Sequence, residues 1–178
     1  AWDDGRGDLV RVHTISVSDN ARLDFSGVKT LTGPARGEDR LDINLSSGGD
    51  IDFTSLEATI SGQIKLTTDA TTYSLATVKT LENTTFVLPT GALLDLPQLL
   101  AWNGGALTIP AGGTYELPRL TNLTNAVLTM EGDSRLINAP VIRNLDNTRF
   151  ILSDGAQFSA PLVNSYSTID RAGTETII

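Results

Sequence analysis

No cysteine occurs among the 178 residues, which excludes disulfide staples and every zinc or redox site built on thiolates. Histidine is nearly absent too: His13 stands alone, with no second imidazole to share a metal or a proton, and is expected at the surface near the first strand. Aromatic residues make up only 6% of the chain, leaving few rings to stack on a base or a sugar. Basic residues number 13 against 21 acidic ones, and the formal net charge of −8 repels a phosphate backbone. With no basic run to offset that charge, nucleic acid is not an expected partner. No apolar stretch approaches the roughly 20 residues that cross a bilayer as a helix, so no membrane span is expected. What remains is a chain that is 40% apolar, long enough for one ordinary domain.

What is abundant is repetition. Hydrophobic pairs recur at Phe86/Leu88, Leu107/Ile109, Leu128/Met130 and Phe150/Leu152, a period of 21 or 22 residues. Each pair is followed by a turn former at Gly91, Gly112, Asp133 or Gly155, where glycine or aspartate adopts positive φ cheaply. A second pair follows (Leu94/Leu96, Tyr115/Leu117, Leu136/Asn138, Phe158/Ala160), then a proline at Pro97, Pro118, Pro140 or Pro161. Earlier in the chain the same pattern is looser, starting at Ile15/Val17, Ile43/Leu45 and Ile64/Leu66. Seven coils result over 15–170, with an irregular insert at Gly33–Arg40. Residues 1–14 read as a cap or linker and 171–178 as part of a further coil. The start at Ala1 and the end within Thr176-Ile177-Ile178 read as cuts in a longer polypeptide.

Apolar residues two apart, in bursts of three to five residues, specify short strands rather than helices, and the recurrent prolines argue against helix as well. Three such bursts per coil predict an all-β fold, a parallel β-helix (β-solenoid) of about seven coils with three short strands in each. Stacked coils then form interior ladders. One runs Ile15, Ile43, Ile64, Phe86, Leu107, Leu128, Phe150, and a second Val17, Leu45, Leu66, Leu88, Ile109, Met130, Leu152. A third runs Leu23, Ile51, Tyr73, Leu94, Tyr115, Leu136, Phe158, and a fourth Leu31, Ile60, Leu81, Trp102, Leu123, Leu145, Tyr166. Asn83, Gly104, Asn125 and Asn147 mark a corner whose amides stack between coils. A leucine-rich repeat has an overlapping period, but the spacing Leu123-x4-Leu128-x-Met130 puts two extra residues before its core pair and no stretch supplies its helix.

The column with the most chemistry points outward from the second strand of each coil: Asp24, Asp52, Ser74, Asp95, Glu116. Carboxylates one strand spacing apart suit calcium, and Asp95 with Glu116 is the candidate pair for that metal. The same two residues, with Arg119 nearby, are the elements of a carbohydrate lyase or hydrolase site. The plainer alternative is a solvated acidic face that discourages aggregation through sheet edges. Only Gly33–Arg40 departs from the minimal coil, which leaves little material for a catalytic cleft, so the chain is not expected to be an enzyme. Arg6-Gly7-Asp8 is a loop tripeptide of the kind that arises by chance. Thr108, Thr114, Thr124 and Thr129 do not read as a flat threonine array. Trp102, Tyr73 and Tyr115 fall in core ladders, leaving Trp2 and Tyr166 as the aromatics open to a sugar.

The segments LPTGALLDLPQL (88–99), IPAGGTYELPRLTNLTNAVLTMEGDSRL (109–136) and ILSDGAQFSAPLV (151–163) resemble repeats in giant secreted or surface proteins of environmental bacteria, adhesin-like arrays of β-solenoid coils. The resemblance covers 81–163 well, 43–81 loosely, and not 1–40. It implies an extracellular or cell-surface module that acts as a spacer or in adhesion, with neighbouring domains of its own polypeptide as partners, and it carries over no catalytic residue. A composition without cysteine and rich in Thr, Ser, Asn, Asp and Gly agrees with that location. The alternative is a carbohydrate-binding module for a polysaccharide or cell-surface glycan, perched on a polysaccharide-degrading enzyme. Its candidate contacts are Asp24, Asp52, Asp95, Glu116 and Arg119.

Overall fold

The computed structural model describes residues 10–34, 36–60, 62–137, 141–169 and 175–177, and contains no helix among them. The chain winds as a parallel β-solenoid, each turn laying one short strand on each of three faces. The first turn carries β1 (Val12–Val17), β2 (Arg22–Asp24) and β3 (Thr30–Thr32). The second carries β4 (Arg40–Leu45), β5 (Asp50–Asp52) and β6 (Ala58–Ile60), and the third β7 (Gln63–Thr68), β8 (Thr72–Ser74) and β9 (Thr80–Glu82). The fourth holds β10 (Thr84–Val87), β11 (Leu93–Asp95) and β12 (Ala101–Asn103), and the fifth β13 (Ala106–Ile109), β14 (Thr114–Glu116) and β15 (Asn122–Thr124). A sixth turn has β16 (Val127–Glu131) and β17 (Arg135–Ile137) but only a single bridge, Asn122 to Asn144, on the third face. Beyond it β18 (Arg149–Ser153) closes the first face, and β19 (Ser167–Ile169) pairs antiparallel with β20 (Glu175–Ile177). The result is about five complete turns rather than seven. The sequence pattern counts every return to the first face, whereas a full turn needs all three strands.

The ladders place the core where alternation predicts, with two corrections of register. Ile43 lies opposite Leu66, not Ile64, and Leu45 opposite Thr68, so Ile64 aligns with Leu41 and Thr84. The second turn is therefore two residues longer, and the third two shorter, than hydrophobic spacing suggests. Period-2 alternation fixes a face but not a shift of two. Thr68 can take an interior site because its hydroxyl accepts the Ala70 N–H at 3.1 Å. On the third face Leu31 aligns with Thr59 rather than Ile60. Thr59 is buried, shares a 2.8 Å hydrogen bond with the Thr84 hydroxyl and accepts the Glu82 N–H at 2.9 Å. A buried hydroxyl with partners carries little penalty, and apolar pattern-matching overlooks it.

Elsewhere the predicted columns hold. Leu107, Leu128 and Phe150 stack, as do Ile109, Met130 and Leu152, then Tyr73, Leu94, Tyr115 and Leu136, and Leu81, Trp102 and Leu123. Asn138 and Pro140 lie outside the described residues. The Trp102 ring meets Phe86 edge-on at 5.6 Å, and Phe86 also abuts Tyr73. Burial is complete in the middle turns and declines at the ends, where Ile15, Leu23, Phe25 and Phe150 are only partly covered and Leu152, expected inside, is exposed because no further ladder covers it.

Two faces are interrupted. On the first, β10 and β13 run side by side without a continuous ladder. The Trp102 indole N–H donates to the Thr84 carbonyl at 3.2 Å, while the Ala106 N–H donates to the Thr85 hydroxyl, also at 3.2 Å. Side chains thus occupy groups that a ladder would pair. On the second face β2 and β5 form one sheet and β8 to β17 another.

The corner column Asn83, Gly104, Asn125, Asn147 has left-handed φ throughout, from 44° to 76°. Its amides stack only in part: Asn147 Nδ2 donates to Asn125 Oδ1 at 2.8 Å, but Asn125 Nδ2 turns to Asn103 Oδ1, outside the column, at 2.7 Å, and the Asn83 carboxamide joins neither. Asn125→Ala is expected to destabilise the chain by about 2 kcal/mol, combining lost hydrogen bonds with an unfavourable left-handed alanine. Asn125→Gly keeps the backbone geometry and should recover about half of that in urea-unfolding midpoints.

Candidate functional site

The acidic column is real but divides into two groups with different surroundings. Asp24 and Asp52 face each other across β2 and β5. Ser74, Asp95 and Glu116 align across β8, β11 and β14. Glu116 aligns in turn with Ile137, where the acidic run ends.

In the first group the carboxylates are corner devices. Asp24 Oδ1 accepts the Ser26 N–H at 2.9 Å, and Asp52 Oδ1 accepts the Thr54 N–H at 3.0 Å, each bridging the bend two residues on. The second Asp52 oxygen takes Arg22 Nη2 at 2.6 Å, and Arg22 Nε lies 3.9 Å from Asp50. Arg22 thereby ties the first turn to the second. The hydrogen bonds to Ser26 hold the Asp24 pKa below its usual 3.8, against the opposing Asp52 charge; those to Thr54, then Arg22, do the same for Asp52. The ionised forms are thus preferred in the fold. Their stabilisation is complete above the unfolded pKa and is lost as pH falls through the lower folded value. An Asp24→Asn/Asp52→Asn double variant should therefore lose less stability than the parent between about pH 4 and pH 2, as read from urea midpoints at each pH.

The second group lacks that corner bond for a covalent reason. Two residues after Asp95 stands Pro97, and two after Glu116 stands Pro118, and proline has no N–H to donate. Asp95 Oδ2 accepts only the Ser74 hydroxyl, at 3.3 Å, and the Glu116 carboxylate has no hydrogen bond or ion pair among the described residues. Arg119 sits on the following turn, exposed, its Nη1 donating to Gln98 Oε1 of the preceding coil. No ion pair joins it to Glu116 among the described residues. The structure aligns Asp95 with Glu116 but directs Arg119 elsewhere, and among the described residues no three carboxylate or imidazole side chains converge as a metal site would require.

The insert Gly33–Arg40 does not form a lid. The buried Asp39 accepts the Arg11 N–H at 2.9 Å, and Gln63 Nε2 donates to the Gly37 carbonyl at 2.6 Å. A cavity of about 310 Å³ opens where β5 and β8 part, lined by Arg22, Asp50, Asp52, Thr72, Tyr73 and Ser74. The Tyr73 hydroxyl is buried without a hydrogen-bond partner among the described residues, and burial lifts its pKa above the ordinary phenol range.

Of the remaining candidates, Trp102 and Tyr115 are wholly buried, and the Tyr115 hydroxyl donates to the Thr108 carbonyl at 2.6 Å. Tyr166, expected as an open ring, is half-buried against Phe150 and donates to the Thr148 carbonyl at 2.7 Å. Its column position beyond Leu145 draws it inward. Thr108 and Thr129 do align, but Thr114 and Thr124 lie on the other two faces. His13 is exposed on β1. Trp2 and Arg6-Gly7-Asp8 lie outside the described residues. Residues not singled out from sequence include Arg22, Asp50 and Lys65. The motif difference between Asp-x-Ser/Thr and Asp/Glu-x-Pro was the available signal for which carboxylates close a corner. No protein-family model, curated protein or solved structure matches the chain, and its classification rests on the architecture described: a parallel β-solenoid.

Proposed function

We propose that this chain is a non-catalytic module of a larger extracellular polypeptide, in which it serves as a rigid spacer or adhesive surface of the kind found in giant bacterial surface proteins. One observation carries the reading: among the described residues the coils are joined by tight corners, and their one long excursion, Gly33–Arg40, is bound down onto neighbouring coils. A solenoid whose described residues project no long loop has length and stiffness to offer rather than an enclosed cleft that would exclude water from a reaction. Carboxylates at the corners of the first turns are engaged in holding the bends, which favours a structural role over a chemical one.

The test has two arms. Incubation with neutral and acidic polysaccharides, assayed for new reducing ends and for unsaturated products, should show no turnover. Turnover that disappears in Asp95→Ala or Glu116→Ala would overturn the non-catalytic reading. Antibody against the chain should label intact producing cells or their medium, and labelling only after lysis would remove the extracellular part.

A further inference from the structure

We infer that the first face carries a binding groove for a single acidic sugar unit, a carboxylate flanked by hydroxyls, with Lys65 as its anchor. The groove has a volume of about 340 Å³ and is lined chiefly by Arg40, Gln63, Lys65, Asn83, Thr85 and Gly105. It crosses the second to fifth turns and borders the place where β10 and β13 fail to pair.

The charge balance of the groove is set by one choice of partner. Register puts Asp42 opposite Lys65, where a cross-strand ion pair would be expected. Instead both Asp42 oxygens are held by Arg40, Nε at 2.5 Å and Nη2 at 3.2 Å. The Lys65 side chain is left with no hydrogen bond or ion pair among the described residues, an uncompensated ammonium on a chain of net charge −8.

Neutral polar groups line the groove beside it. The Asn83 carboxamide lies against Gly104, outside the amide stack that links Asn103, Asn125 and Asn147, and has no hydrogen-bond partner among the described residues. Thr85 accepts the Ala106 N–H, which leaves its own hydroxyl proton to donate. Gln63 engages the Gly37 carbonyl through Nε2 and keeps its carbonyl oxygen as an acceptor. One positive charge with amide and hydroxyl neighbours matches one carboxylate and adjacent sugar hydroxyls. Phosphate or sulfate recognition favours a free guanidinium fork, and the fork of Arg40 is occupied. The volume stands at the low end for small-ligand sites, enough for one sugar unit of a chain passing along the rod.

The groove goes beyond the spacer reading and does not depend on it, since a rigid rod can stand with or without a ligand. It is also separate from the acidic column, which lies on the second face. Titration calorimetry of the whole chain with a galacturonate trimer tests it, alongside the uncharged galactose trimer, sodium sulfate and sodium phosphate. Saturable binding of the galacturonate trimer is expected, weakened about tenfold or more by Lys65→Ala, retained in Lys65→Arg and unchanged by Glu116→Ala. Backbone amide shifts should move at Lys65, Thr85 and Gly105. The proposal is overturned by absence of saturable binding, by equal affinity for the uncharged trimer, or by an unaltered affinity in a folded Lys65→Ala variant. Sulfate or phosphate binding as tightly as the galacturonate trimer would mark an unselective anion site and overturn it as well.

Discussion

Trp102→Ala is expected to lower stability by about 3–5 kcal/mol, the largest loss from any single truncation in this chain. The side chain is wholly buried, and it is the largest in the core. Three contributions disappear together. The ring vacates a position between Leu81 and Leu123 in the third-face ladder, and neighbouring coils held by hydrogen bonds on the second face cannot collapse into the space. The edge-on contact with Phe86 is lost, a geometry that adds to simple burial. The Thr84 carbonyl loses its donor at the point where the first face is already unpaired. Trp102→Phe separates these terms, because it fills much of the volume without an N–H, and should cost about half as much. Urea midpoints followed by circular dichroism measure both. A loss below about 1 kcal/mol for Trp102→Ala would show that the middle turns tolerate a void and that the described core does not govern stability.

Gly49→Ala comes next, at about 2–3 kcal/mol. A Cβ at this position would stand 2.1 Å from the Val17 carbonyl oxygen and 2.4 Å from its carbon. Both are backbone atoms of the preceding coil, so no side-chain rotation relieves the contact. Nor is the obstruction isolated: the same Val17 carbonyl accepts the Ser46 N–H at 3.1 Å, so moving it strains the link between the first two turns. Gly91→Ala supplies the comparison. Gly91 has φ of 75° but nothing within 4 Å of the added carbon, so only the left-handed backbone is penalised, by about 1–2 kcal/mol. Equal losses at the two positions would mean that close approach of coils is not what demands glycine at 49.

Much of the fold could be read from residues because turn formers and prolines punctuate it at a fixed period. The columns through Leu94, Tyr115 and Leu136 needed nothing more than that spacing. The reading failed where a polar residue entered the core. Thr59 and Thr68 displaced Ile60 and the expected leucine because local hydrogen bonds satisfied their hydroxyls, and such bonds depend on neighbours two dozen residues away or on the bend of the chain. The acidic column was visible as a column, yet its division was not drawn, although Pro97 and Pro118 encode it. Lys65 could not have been singled out from sequence, since its freedom depends on which cation Asp42 turns toward.

The two interruptions fall at different heights. Where β10 and β13 separate on the first face, β11 and β14 remain laddered on the second and β12 and β15 on the third. Where the second face is broken between β5 and β8, β4 and β7 remain joined on the first and β6 and β9 touch on the third. The joints are staggered, as in courses of brick, and among the described residues no cross-section of the first five turns severs all three walls. Under load applied to its ends, those five turns offer no plane along which to crack, and yielding is expected to start by fraying at the thinly covered outermost turns.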